Sequence, residues 1–154
     1  MIFGGKDYNM KIIIDGDACP SIAIIEKIAK ESKIEVLIFC DINHYINSDY
    51  STVRIVDSGF QNVDMYVINN TEKDDIIITQ DYGLAAMCLP KKAKVISPKG
   101  YIYTDNNIDR LLEERHLSQK IRRGGGKTPN PKKRSGEDEV RLVENLKKLI
   151  QKNT

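Results

Sequence analysis

Two runs of three isoleucines, Ile12-Ile13-Ile14 and Ile76-Ile77-Ile78, constrain the fold more than any other feature of this chain. Consecutive β-branched residues with no polar alternation read as strands buried on both faces, the kind found in the middle of parallel sheets. Each run leads into acids: Asp15-Gly16-Asp17 after the first, Thr79-Gln80-Asp81 after the second. In an open α/β sheet the carboxyl ends of the strands form the edge at which ligands bind.

The rest of the pattern fits that frame. Pro20 suits the first position of a helix, and apolar residues at 22, 25, 28 and 29 predict a helix from Pro20 to Ser32. Ile34–Phe39 reads as a second strand ending at Cys40-Asp41, followed by an irregular polar stretch over 42–51. Thr52–Val56 reads as a third strand, and a short helix over Gln61–Asn70 holds Asp64. Gly83–Leu89 and Lys94–Ser97 add a helix and a fifth strand. Strands alternating with helices predict a three-layer α/β/α domain with a mostly parallel central sheet and right-handed crossovers.

Beyond residue 100 the pattern changes. Thr104 and Asp105 look like the cap of a helix reaching about Ile121. Gly124-Gly125-Gly126, Pro129 and Pro131 then mark a loop. Ser135 with Asp138 resembles a capping box, and Leu142, Leu146 and Leu149 form the stripe of a last helix that packs back on the body. The expected organisation is therefore a flexible extension over 1–9, a body over 10–122, a basic Gly/Pro loop over 123–134 and a C-terminal helix over 135–152. The 154 residues suffice for one domain and its core.

Charge is unevenly spread. Residues 1–114 carry a net of −6, residues 115–134 a net of +8 with no acid, and the remainder balance. An acidic body with a basic strip suggests a polyanionic partner, nucleic acid and RNA in the first place; the bland alternative is a solvated basic loop. No apolar run approaches a membrane span. Met1–Asn9 lacks the apolar segment of a secretory signal. Cys19, Cys40 and Cys88 follow no metal-ligand spacing and suit small apolar residues in a reducing cytoplasm. The oligomeric state is not encoded in any feature of the sequence.

Asp15, Asp17 and Asp81 each lie just past a buried strand, and Asp64 opens a helix at the same rim. Carboxylates brought together there repel unless a cation sits among them. Hard oxygen donors favour Mg²⁺ or Mn²⁺. An ion so held polarises a phosphoryl oxygen and acidifies bound water, which is what phosphodiester hydrolysis needs. Thr79 can hydrogen-bond a neighbouring carboxylate or the attacking water. The competing reading of each Asp is a helix cap or turn residue, and Asp17 in particular could cap the helix that follows Pro20. His44 and His116 have no partner at a telling spacing and read as surface residues, and Asp41 is the weakest of the strand-end acids.

Ile14-Asp15-Gly16-Asp17-Ala18-Cys19-Pro20, Gly59-Phe60 with Asp64, and Ile78-Thr79-Gln80-Asp81 with Leu84-Ala85 resemble the YaiI/YqxD family of bacterial proteins, which belongs with the PIN-like nuclease-type domains. Pro98 with Gly100, Tyr103-Thr104, Asn107-Ile108 and Ser135 with Asp138 extend the resemblance to about Ile150. It implies a PIN-like fold and a clustered acidic site with Asp15, Asp64 and Asp81 as metal-associated carboxylates and Asp17 as a fourth. Two departures stand out. Gln61 replaces an acid, and Arg123-Gly124-Gly125-Gly126-Lys127 replaces a Thr-Gly-Gly-Pro-type segment.

These observations predict a metal-dependent nuclease acting on RNA. Lys99, Arg122, Arg123, Lys127, Lys132, Lys133 and Arg134 are the candidates for gripping the phosphate backbone. Two alternatives remain: a PIN-like module that binds RNA or protein without turnover, which Gln61 favours, and a haloacid-dehalogenase-type phosphatase with Asp15 as nucleophile and Asp17 as acid–base. Against the phosphatase, the later acid pair Asp74-Asp75 precedes its strand.

Overall fold

The computed structural model describes residues 10–16, 19–56, 63–126 and 135–151. The first nine residues, Asp17, and Lys127 to Arg134 lie outside them. Among the described residues, six strands form one sheet: β1 (Lys11–Asp15), β2 (Glu35–Asp41), β3 (Thr52–Val56), β4 (Ile76–Ile78), β5 (Lys94–Ile96) and β6 (Ile102–Tyr103). Their order is β3-β2-β1-β4-β5-β6. All neighbours are parallel except β5 and β6.

The two isoleucine runs lie side by side, pairing Ile12 with Ile76, Ile13 with Ile77 and Ile14 with Ile78. All six side chains are fully buried, and each such burial stabilises by roughly 1.5–3 kcal/mol. Because side chains alternate across a strand, they feed two cores. Ile12, Ile14, Ile76 and Ile78 pack with α1 (Ile22–Glu31) and α5 (Gly136–Gln151). Ile13 and Ile77 pack with α2 (Val63–Asn70), α3 (Tyr82–Cys88) and α4 (Asp105–Arg123). The result is the expected three-layer α/β/α arrangement.

Where the elements differ from expectation, local chemistry gives the reason. Pro20 is not the first helical residue: Ser21 is the N-cap and α1 begins at Ile22. Strand β2 continues through Cys40-Asp41, because β3 pairs with it to the end. Strand β6 has two residues, too few for any periodicity. A tight turn returns the chain to pair it: Gly100 N donates to Ser97 O and Ser97 N to Tyr101 O, both at 2.9 Å. Gly100 takes φ +89°, and a Cβ there would come within 2.4 Å of the Leu142 nitrogen. Only glycine lets α5 approach this closely.

Both expected caps are present. Thr104 and Asn107 form a reciprocal capping box on α4. Ser135 N donates to Asp138 Oδ2 at 2.9 Å, and Asp138 N to Ser135 Oγ at 3.4 Å, opening α5. That helix buries Leu142, Leu146, Leu149 and Ile150 and packs against α1. At the amino edge, buried Asp75 ties β1 to β4, accepting from Lys11 N at 3.0 Å, Lys11 Nζ at 2.8 Å and Glu72 N at 2.8 Å. Hydrogen bonds and ion pairs to Asp75 and Glu72 outweigh desolvation and raise the Lys11 pKa. No helix among the described residues is long and apolar enough to cross a membrane.

Candidate active site

The strand order reverses between β1 and β4: from β1 the chain first builds outward through β2 and β3, then returns to β4 on the other side. Such a switch point leaves a crevice at the carboxyl edge. Asp15 ends β1 there, half-buried. Gly16 follows because the chain turns tightly over β2; a Cβ at this position would stand 2.8 Å from the Phe39 carbonyl oxygen and 2.9 Å from Ile46 Cδ1.

Thr79, just past β4, is 1% exposed and joins the two strand ends. Its hydroxyl donates to Asp15 Oδ2 at 2.9 Å and accepts from Asp81 N at 3.0 Å. Asp81 is the N-cap of α3: Oδ1 accepts from Gly83 N at 2.8 Å and Leu84 N at 3.3 Å. Arg115 of α4 also reaches Oδ1, at 3.3 Å. Asp81 thus caps α3 while standing just past the end of β4.

The remaining acids spread along the rim. Asp64 stands in the first turn of α2, half-buried. Asp41, one strand away from Asp15, caps a single 3-10 turn at Ile42–His44, accepting from Asn43 N at 2.9 Å. His44 Nδ1 lies 2.8 Å from Asp41 Oδ1, so His44 has a partner that its spacing had not suggested. That hydrogen bond, aided by the imidazole's charge and by the backbone, holds the Asp41 carboxyl below its ordinary range. Ser21, buried at the start of α1, makes no cap bond, and among the described residues its hydroxyl has no hydrogen-bond partner. A buried hydroxyl in that state needs an explanation.

Among the described residues, no three acidic, histidine or cysteine side chains stand where they could hold one metal ion. Asp15, Asp64 and Asp81 are thus not a preassembled cage, and Asp17 lies outside the described residues. Mg²⁺, however, is commonly held by one or two carboxylates together with water and substrate phosphate. That sparser mode asks for no more than one or two carboxylates, and Thr79 brings together the Asp15 carboxylate and the Asp81 backbone at this edge. Asp75 cannot serve as the second acid of a phosphatase, since its ion pair with Lys11 buries it at the opposite edge of the sheet from Asp15.

The basic candidates fall in two places. Arg122 and Arg123 sit exposed in the last turn of α4. Lys99 lies in the turn between β5 and β6, beside the site. Lys127, Lys132, Lys133 and Arg134 are outside the described residues. Arg115 was legible only as part of the basic strip; nothing in its spacing pointed to Asp81. Cys40 and Cys88 are buried, Cys19 is half-buried, and none forms a disulfide.

The profile of the family described as "Uncharacterized BCR, YaiI/YqxD family" matches residues 13–152, which include the whole of this edge. The chain belongs to the YaiI/YqxD family. A UPF0178 protein of Clostridium novyi is 64% identical over 93% of the chain and 96% of its own length. One of Clostridium perfringens is likewise 64% identical over 93% of the chain. A more distant one, of Clostridium acetobutylicum, retains 45% identity over 92% of the chain and 97% of its own length. No solved structure matches.

Proposed function

We propose that this YaiI/YqxD chain is a divalent-metal-dependent nuclease acting on RNA, with a PIN-like active site at the carboxyl edge of β1 and β4. One observation carries the reading: a single buried hydroxyl, that of Thr79, binds the Asp15 carboxylate and the Asp81 backbone together at the switch point of the sheet. Mg²⁺ or Mn²⁺ held by Asp15 and Asp81, with Asp17 and Asp64 as further carboxylates, would stabilise charge on the phosphate and acidify a water.

The chain's own residues have separate tasks. Thr79 orients Asp15 by donating to Oδ2. Arg115 holds Asp81 Oδ1 and leaves Oδ2 for a ligand or water. Arg122, Arg123 and Lys99 would contact backbone phosphates, a grip without sequence preference. In the test, purified protein with Mn²⁺ is given single-stranded RNA, and metal is titrated by calorimetry into wild type and Asp15→Asn. Cleavage and a metal isotherm in wild type, both lost in the folded variant, are expected. Failure of the wild type to cut RNA or DNA of any form would overturn the proposal.

A second reading is favoured by the commitment of Asp81 to its cap and to Arg115, and by Gln61 in place of an acid: an RNA-binding module without turnover. Salt-sensitive RNA binding that survives loss of both Asp15 and Asp81, with no cleavage, would select it.

A further inference from the structure

The carboxyl ends of β4 and β5, the turn before β6 and the first half of α4 enclose a cleft of about 490 Å³ next to Asp81. That volume lies within the roughly 300–1,000 Å³ of small-ligand sites. Three of the chain's seven tyrosines line it, with Gln80 and Lys99. Tyr103 and Tyr82 make one wall, in edge-to-face contact with centroids 5.7 Å apart. Burial pushes the Tyr103 phenol well above its ordinary pKa, so it stays a neutral hydroxyl.

Tyr101 is different. It is 53% exposed, yet held firmly. Its backbone N donates to Ser97 Oγ at 3.1 Å. The Arg141 guanidinium lies 4.2 Å from its ring centroid. Arg141 is itself fixed by Asp138 Oδ1 at 2.8 Å and the Lys99 carbonyl at 3.0 Å. A cation placed in this way fixes the ring's orientation, while half of the side chain's surface stays open to solvent. An ordinary packing tyrosine would be covered; this one is a supported platform at the mouth of a cleft.

We propose that this cleft is a subsite for one unpaired nucleobase, stacked on Tyr101, with the adjoining phosphate near Lys99. The assignment rests on the nucleic-acid reading of the neighbouring acidic edge and names what that edge receives. Charge and chemistry select the occupant. Aromatic rings favour a planar group, and the positive charge of Lys99 at the cleft favours an attached anion. Bases stack on aromatic side chains without regard to sequence. Paired bases in a duplex are already stacked and cannot enter, so single strands are selected.

The chain contains no tryptophan, so Tyr101→Trp supplies a single reporter at the platform. In EDTA, where no hydrolysis interferes, an oligoribonucleotide of six to eight uridines or adenosines should quench its emission. An abasic strand of equal charge and a blunt duplex should not. In parallel, fluorescence anisotropy should show single-stranded RNA binding weakened roughly tenfold or more by Tyr101→Ala and retained by Tyr101→Phe, with unchanged circular dichroism. Equal quenching by the abasic strand, no RNA binding by the wild type, or Tyr101→Ala binding within twofold of wild type would each overturn the subsite. Cleavage in Mn²⁺ is scored separately. RNA bound through Tyr101 but never cut would sink the nuclease reading alone; RNA cut with Tyr101 irrelevant would sink the subsite alone.

Discussion

Thr79 bears the heaviest demand of any single residue in the candidate site. Its hydroxyl has one proton and two lone pairs, and it uses the proton for Asp15 and a lone pair for the Asp81 N–H. Valine has the same shape and neither capacity. Thr79→Val should therefore destabilise the fold by about 1–3 kcal/mol, because a partly buried N–H loses its acceptor and Asp15 loses its donor. It should also abolish or severely reduce cleavage by loosening Asp15, whereas Thr79→Ser should preserve both. Urea unfolding midpoints and cleavage rates of the two variants decide this. A valine variant as stable and active as wild type would remove Thr79 from the site. The acids at strand ends were readable because a buried triplet followed by Asp is an unusual local pattern. Capping by Asp81 was readable as the competing role of a strand-end acid; that Arg115 would meet it from 34 residues away was not, since long-range pairing leaves no trace in local spacing.

At the scale of elements, α5 shows how a C-terminal helix is attached to an α/β body. Its stripe of Leu142, Leu146 and Leu149 was visible from periodicity alone, as was the Ser135–Asp138 cap. Its docking partner was not: the turn that presents Gly100 and Tyr101 to Arg141 depends on β6, a strand too short to announce itself. Asp138 sits at this junction, and backbone N–H donation from Ser135, then the Arg141 guanidinium, hold its carboxyl below the usual range. The unfolded chain thus takes up a proton near pH 4 that the folded chain still refuses. Stability from Asp138 is complete above that point and is lost as pH falls through the lower folded value. Asp138→Asn should be less stable than wild type at pH 7, and the gap should close on acidification below about pH 4. Urea titrations at pH 7, 4 and 3 measure it; a gap constant with pH would show that the ionised form has no special role.

At the scale of the molecule, the separation of charge becomes a geometric fact. Helix α4 passes the cleft at Leu111, meets Asp81 at Arg115 and continues for two more turns. Over that last stretch, from Arg115 to Arg123, every residue but Ser118 is exposed, and Lys120, Arg122 and Arg123 crowd its end. The sequence showed a basic strip but not that a rigid helix carries its first part from the acidic edge outward into solvent. A nucleic acid bound at the edge would meet this arm before anything else. Each single-strand phosphate neutralised contributes about −0.7 to the slope of log K against log salt. Replacing Lys120, Arg122 and Arg123 together with glutamine should therefore flatten the slope by about 2 and weaken binding most at low salt. Exposed side chains tolerate such changes within about 0.5 kcal/mol of stability, so the loss would not reflect unfolding. RNA binding measured from 50 to 300 mM KCl gives the slopes. Parallel lines for the variant and wild type would mean that the arm is only a solvated helix end, and that the polyanion is gripped elsewhere.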